Sequence, residues 1–357
     1  MRAYLEARPS PSRLAVWLAP LVAAAATIVV GFIVFGALGR DPLAALHAFF
    51  VEPIATRYGV AELLLKASPL MLIGTGLALA YRANVWNIGA EGQLTLGAIA
   101  GGGVALAVGD AWPAFVLLPA MFVAGALAGM AWAAIPAWLR NRFNANEILT
   151  SLMLVYVASL FLSWLVHGPW RDPEGYNFPQ SKMFDANAML PILLPDTRLN
   201  ASLTVALAIV ALAWLFVRRH VVGFEMRVAG LAPAAADYAG ISIRRTVWLA
   251  MLASGACAGL AGVGEAAGPI GQLLPSMSPG YGFAAIIVAF VGRLQPAGVA
   301  LASLLLSLLY LGGESAQVHL GLPSAVTGLF EGTLLVFLLA ADVLVNYRPR
   351  IARGATA

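Results

Sequence analysis

Long apolar runs recur along this chain, and they decide what it can fold into. The first, Leu14–Leu38, runs 25 residues without a charge. A helix needs about 20 apolar residues to cross a bilayer, and fewer where flanking residues reach outward or neighbouring protein buries it. Nine further segments follow: Ser68–Tyr81, Leu94–Val108, Pro113–Leu139, Ile148–Val166, Leu199–Val217, Val247–Val263, Phe283–Val291, Ala297–Gly312 and Ala325–Val345. The third and eighth are short and flanked by glycine. A secretory signal has an apolar region of only about 7–15 residues, so Leu14–Leu38 reads as a retained span. The pattern predicts an all-α fold, a polytopic transmembrane helical bundle of about ten spans.

Composition narrows the function. Apolar residues make up 61% and charged residues 11% of the 357. That is too few charges to cover a water-soluble globule, and disorder is excluded by the same apolar excess. A broad nucleic-acid interface would need clustered Lys and Arg. The only lysines, Lys66 and Lys182, precede Ala67 and Met183, so no phosphate-binding loop ending in Lys-Ser or Lys-Thr exists. A single cysteine, Cys257, excludes an intrachain disulfide and a cysteine metal site. The four histidines are scattered, and no catalytic constellation survives inspection.

The basic residues set an orientation. With the N-terminus inside, ten spans put fifteen Arg on the inner side, among them Arg2, Arg8, Arg13, Arg82, Arg140, Arg218, Arg227, Arg244, Arg293 and Arg353. Six basic residues fall outside: Arg40, Arg57, Lys66, Arg171, Lys182 and Arg198. This satisfies the positive-inside rule with both termini cytoplasmic. The organisation read from this is an N-terminal segment over 1–13, a transmembrane domain over 14–345 and a tail over 346–357. Outer loops fall at 40–66 and 167–198, the first with room for an amphipathic helix and the second rich in turn formers. An inner loop falls at 218–246. Ten spans also suggest two halves of five, the second inverted against the first, as in many transporters.

Four polar clusters stand out. Tyr81-Arg-Ala-Asn-Val-Trp-Asn-Ile-Gly-Ala-Glu-Gly-Gln93 places Asn84, Asn87, Glu91 and Gln93 between two spans, with Gly89 and Gly92 interrupting any regular helix. At membrane depth such a stretch must be buried in protein or face water, and an ionisable Glu there costs roughly 2.5–3.5 kcal/mol on insertion scales. A broken helix at a translocation path is one reading; an inner loop with Glu91 paired to Arg82 is the other. In Arg140–Ile148, Asn144 or Asn146 can cap the next helix and Glu147 can sit in its first turn or face a cavity. Over Gly223–Ile241, Pro233 opens and Gly240 closes a helix of about seven residues, too short to stand alone. Its packing partner is its own bundle or a separate subunit. Finally, Glu314, Gln317 and His319 lie at an outer helix end, Glu265 sits similarly after the seventh span, and Glu331 lies within the last.

These residues carry a resemblance. Arg82–Gln93, Asn146-Glu-Ile-Leu-Thr-Ser-Leu-Met153, Gly230–Ile241 and Gly280-Tyr-Gly-Phe-Ala-Ala-Ile-Ile-Val-Ala-Phe-Val-Gly-Arg293 resemble the permease subunits of ATP-binding-cassette importers. The match runs from about residue 14 to 345. The nearest branch serves nucleosides and simple sugars and is related to ribose and branched-chain amino acid permeases. The resemblance implies a transport subunit, not an enzyme, in the bacterial inner membrane. It implies a substrate path near Asn84, Asn87, Glu91, Gln93, Glu147, Glu314 and Gln317. It also implies a coupling helix over Arg227, Gly230, Pro233, Ala235, Asp237, Tyr238 and Gly240, although Ala232 departs from the Asn common at its start. The implied partners are a cytoplasmic ATPase, a second permease subunit and a periplasmic or lipoprotein substrate-binding protein. No cofactor is expected in this chain, since the ATPase partner binds ATP. The implied cycle is inward transport by alternating access. The alternatives are a branched-chain amino acid permease and an ion-coupled secondary transporter in which Glu91, Glu265, Glu314 and Glu331 relay protons.

Overall fold

A computed structural model of the chain describes residues 2–7, 13–323 and 325–352. Arg8 and Arg353 of the predicted inner charges, and the side chain of Glu331, lie outside this description. In chain order the elements are β1 (Arg2–Ala7), α1 (Arg13–Ala37), α2 (Pro42–Phe50), α3 (Arg57–Arg82), α4 (Ala90–Val108), α5 (Ala114–Phe143), α6 (Glu147–His167), α7 (Ser202–Arg219), α8 (Val221–Leu231), α9 (Pro233–Tyr238), α10 (Ile243–Glu265), α11 (Tyr281–Val291), α12 (Pro296–Leu320), α13 (Ala325–Asn346) and β2 (Tyr347–Ala352).

Each of the ten predicted segments is met by a helix, but several boundaries move. The second span begins at Arg57, well before Ser68, so the predicted outer loop shrinks to α2 and a short turn. The extra turns are stable because their one buried acid, Glu62, is held by Arg198 at 2.6 Å and 2.9 Å. The third span begins at Ala90 and takes in Glu91 and Gln93. The ninth runs on to Leu320 and takes in Glu314, Gln317 and His319. Among the described residues seven helices are long and apolar enough to cross a membrane. The α11 helix is not one of them: its 11 residues give about 16 Å, half a bilayer core.

The chain divides into two compact units, residues 1–56 with 308–357 and residues 57–307. They do not coincide with the two predicted sequence halves. In the smaller unit α1 packs with α13 and α2. Phe35, Phe49 and Phe330 form an aromatic knot there, with centroids 4.5 Å to 6.3 Å apart. The predicted terminal segments meet as an antiparallel ribbon, Arg2 opposite Ala352 and Ala7 opposite Tyr347. Residues 2–7 and 347–352 therefore lie side by side in this unit.

In the larger unit helices from both sequence halves interleave. The α10 helix packs against α5, α4 and α3, and α3 packs against α11 and α7. Small residues permit the closest crossing. Gly125 and Gly129 of α5 face Gly259 and Gly255 of α10; a Cβ at 129, 255 or 259 would run into the opposing backbone, and one at 125 into the Val263 side chain. Without a hydrophobic drive between helices in lipid, such close approach supplies the packing energy. The inner and outer helices are plain from burial: 83% of the α3 span is buried, against 22% of α5 and of α7. Outward-facing leucines and aromatics on α5, α6 and α7 suit a lipid surround.

Candidate functional site

The unwound stretch between α3 and α4 is the polar centre of the larger unit. Helix α3 stops at Arg82 because Asn84 takes a left-handed φ of 54°, which Asn tolerates better than most residues. Residues 85–89 then form no regular structure until α4 begins at Ala90. This backbone has lost its helical hydrogen bonds, so it must be satisfied otherwise. Asn87 is fully buried and does most of this. Its amide nitrogen donates to Gln93 Oε1 at 2.8 Å and to Ser254 Oγ of α10 at 2.9 Å. Its oxygen accepts from Gln93 Nε2 at 3.1 Å and from the Gly89 N–H at 3.0 Å. The Tyr81 hydroxyl donates to the Asn87 carbonyl at 3.0 Å, and the Ile88 N–H donates to Ser151 Oγ of α6 at 3.2 Å. Stacked rings of Tyr81, Trp86 and Phe290 pin the segment to α11, with centroids 5.1 Å to 5.9 Å apart.

Glu91 is not paired with Arg82. In the first turn of α4 its Oε2 accepts the Gly282 N–H at 2.6 Å, and its Oε1 accepts the Ser278 hydroxyl. Ser278 Oγ in turn accepts the Gly280 and Tyr281 N–H groups at 3.0 Å and 3.2 Å. A carboxylate at the start of α11 satisfies donors left free by the helix and meets its positive end. The approach requires glycine at 282, since a side chain there would occupy the Glu91 backbone. Glu91 thus clamps the broken helix to the half-length helix.

Glu147 lies beside this stretch. Asn146, not Asn144, caps α6, accepting from Ile148 and Leu149; Asn144 closes α5 with φ 53°. Glu147 accepts from Arg140 at 2.6 Å and, at 3.4 Å, from the Trp86 N–H. Asn84 is exposed and accepts from its neighbour Trp86 Nε1 at 3.0 Å. Glu314 and Gln317 belong to the smaller unit, Gln317 donating to the Gly313 carbonyl at 3.2 Å.

The predicted coupling segment forms two helices. One face of α8 is buried through Gly223, Met226 and Ala229, and α9 spans six residues after it. Ala232 gives α9 no side-chain cap. The far end closes with the Ile241 N–H on the Ala236 carbonyl and Gly240 at φ 80°. Arg227, Pro233, Ala235, Asp237 and Tyr238 are exposed, Tyr238 at 97%. Gly230 sits so close to the Arg82 carbonyl that no side chain fits between them. The exposed helix pair therefore touches the point where α3 unwinds.

Sequence reasoning missed Ser151, Ser254 and Ser278, isolated hydroxyls in apolar or Gly-Pro-rich stretches that no spacing distinguishes. It also missed the Glu62–Arg198 pair, whose members are 136 positions apart. The Glu62 hydrogen bond holds the Arg198 proton more tightly than usual, against the opposing effect of partial burial. Glu265 is buried at the end of α10, within the field of Lys66, Arg198 and Glu91. A π-helical turn over Ala266–Ile270 follows it. Above this turn the loop over 180–190 is tied down by Ser181 N–H to the Leu273 carbonyl, Phe184 N–H to Gly271 and Leu190 N–H to Ala267, at 2.8–2.9 Å. The predicted outer loop over 167–198 is therefore an irregular strap, with one short 3-10 turn at Ala186–Ala188.

A bundle of long apolar helices with exposed leucines and aromatics, broken at its centre by a polar unwound segment, is that of a multi-pass membrane protein. Residues 59–339 match the family described as branched-chain amino acid transport system / permease component, and the chain belongs to it. It is 40% identical to the glucose ABC transporter permease protein of Haloferax volcanii, over 94% of this chain and 91% of that one. It is 30% identical to the guanosine ABC transporter permease protein of Bacillus subtilis, over 92% and 94%. It is 29% identical to a nucleoside ABC transporter permease protein of Lactococcus lactis, over 93% of each. No solved structure matches it. The chain is a permease subunit of an ATP-binding-cassette importer, a transport component and not an enzyme.

Proposed function

We propose that this permease moves a neutral, sugar-bearing solute, a nucleoside or a simple sugar, inward through the membrane. The observation that carries the proposal is the likeness over more than nine-tenths of the chain to permeases named for glucose and guanosine. Those two solutes share a ring bearing several hydroxyls and no net charge. The basic ends of α3, α5, α7 and α10 face the cytoplasm in this reading, and so do both termini. A separate ATPase binds ATP and grips the exposed α8–α9 pair, a second permease subunit completes the pore, and a binding protein delivers solute to the outer face.

Motion enters at α9. Gly230 transmits it to the Arg82 carbonyl, and the unwound stretch 83–89 turns it into a shift of α4 against α3. The clamp from Glu91 to Ser278 and Gly282 passes it on to α11. Asn84, exposed beside the broken helix, and Glu91, partly exposed, border the path; Asn87 and Gln93 hold its wall. Glu147 steadies the wall through Trp86.

Uptake of labelled guanosine and glucose by cells carrying the complete transporter tests this. Vanadate should abolish uptake and an uncoupler should spare it. Uncoupler-sensitive, vanadate-resistant uptake would indicate an ion-coupled carrier. Uptake of leucine in place of either solute would move the substrate to the amino acid branch.

A further inference from the structure

A cavity of about 630 Å³ opens where the end of α3, the end of α7 and the start of α8 meet. Its polar lining is Arg82, Arg218, Arg219, Arg227, His220 and Gln295, and it contains no carboxylate. Among the described residues no ion pair engages any of these four arginines. Arg82 and Arg227 carry like charges on the wall of the same cavity, and Arg218 lies over the Trp214 ring at 4.5 Å. Four guanidiniums around one cavity raise the energy of the folded chain unless an anion joins them. The volume is that of a small-ligand site, and guanidinium forks match phosphate oxygens in pairs. The first turn of the 11-residue α8 also turns toward this cavity, through His220 and Val221. The Val222 N–H of that turn is already taken by His220 Nδ1 at 3.2 Å, so the guanidiniums supply the positive charge of the cavity.

We infer that this cavity is a binding site for a phosphate ester, which bridges α3, α7 and α8. The site is separate from the broken-helix centre and does not depend on which solute is carried. The surroundings favour the headgroup of an anionic phospholipid over a soluble phosphate. Val221 and Phe224 are 68% and 63% exposed on α8, and Trp214 is 39% exposed on α7, all beside the cavity. Apolar and aromatic side chains next to a cluster of Arg at helix ends fit the boundary between acyl chains and headgroups. A phosphate held there offsets the like charges of Arg82 and Arg227 and fixes the base from which α8 and α9 project.

The test uses the purified full chain. In one arm it is exchanged into phosphatidylcholine nanodiscs with or without phosphatidylglycerol, re-extracted, and weighed by native mass spectrometry. One phosphatidylglycerol should stay bound per chain. Retention should fall at least fivefold in the Arg218→Gln/Arg227→Gln variant and hold in Arg244→Gln/Arg245→Gln, which removes two charges outside the cavity. In the second arm, lipid-free detergent samples are heated in inorganic phosphate or in chloride at equal ionic strength. A protective effect of phosphate lost in the first variant supports the site with a soluble occupant; retention in the first arm alone supports it with a lipid headgroup. No retention together with no phosphate effect on the wild-type chain overturns the proposal. Equal loss in both variants also overturns it, because general attraction to anionic lipid would then explain the result.

Discussion

Two segments of the larger unit interrupt its helices, residues 83–89 and residues 232–240, and they are built in opposite ways. The first is buried and bonded almost atom by atom: Asn87 alone takes part in four side-chain hydrogen bonds, reaching Gln93, Gly89 and Ser254. The second is exposed along nearly its whole length, with only Ala236 buried in α9, and is held by backbone turns alone. The lesson concerns how polarity is used in an apolar chain. Polar groups of the buried unwound segment are engaged with one another, because an unmet amide in a low-dielectric interior costs more than its bond returns. The second segment instead leaves Tyr238 bare, and Leu231 just before it.

The contrast predicts that stability and transport separate along it. The largest loss of stability belongs to Asn87→Ala. That change strands the Gln93 amide, the Ser254 hydroxyl and the Gly89 N–H in the core, at a cost of about 2–4 kcal/mol. Thermal unfolding in detergent should drop clearly; an unchanged transition would mean that the buried network contributes little. Next is Glu91→Gln. The amide keeps one acceptor but gives up the charge-assisted bonds to Ser278 and Gly282, worth about 1–2 kcal/mol together. Expression should survive while uptake falls by roughly tenfold, on the same order as that energy converted to a rate. Full uptake at normal expression would remove Glu91 from the conformational path. Smaller again is Gly240→Ala, which forces a side chain into φ 80° at about 1 kcal/mol. Its effect should be confined to the α9 end, visible as faster amide exchange over 236–241 with the global unfolding temperature nearly unmoved.

Much of this plan is legible in the sequence, and what is illegible has a common cause. The ten helices follow from apolar run length, and α9 follows from Pro233, three alanines and Gly240. The break at 82–93 follows from its polar residues and glycines. Partner choice does not follow. Glu91 and Arg82 are nine positions apart and of opposite charge, yet Glu91 finds Ser278 and Gly282 on a distant helix. Glu62 finds Arg198 across 136 positions. Such pairs depend on how α10 and α11 interleave with α3 and α4, and no local period encodes that. The glycines that allow the interleaving are visible as Gly-x-x-x-Gly spacings at 125–129 and 255–259, but spacing alone does not say which helix faces which. Span ends shift for a related reason. Arg57–Ala67 is too polar to read as membrane helix until Arg198 is known to cover Glu62.

The smallest predicted change in stability is also the sharpest test of the contrast. Ala235→Arg places a long cation on the exposed face of α9, where Ala235 lies open to solvent and Arg is nearly as good a helix former as Ala. Folding should be untouched, with the unfolding temperature of the isolated permease the same within error. A protein surface closing over α9 has no room prepared for a guanidinium, and burying one unpaired is far costlier than losing a methyl contact. Co-purification of the ATPase should therefore fall steeply and uptake with it, while binding of solute by the delivery protein stays intact. The companion substitution Asn87→Ala should do the reverse, lowering stability while whatever permease remains folded still binds the ATPase. If Ala235→Arg destabilises the isolated chain as much as Asn87→Ala does, α9 is part of the bundle's own packing and the two interruptions are alike after all. If it leaves stability, ATPase association and uptake all unchanged, α9 is not where the driving subunit docks, and the route from Gly230 to Arg82 carries no motion.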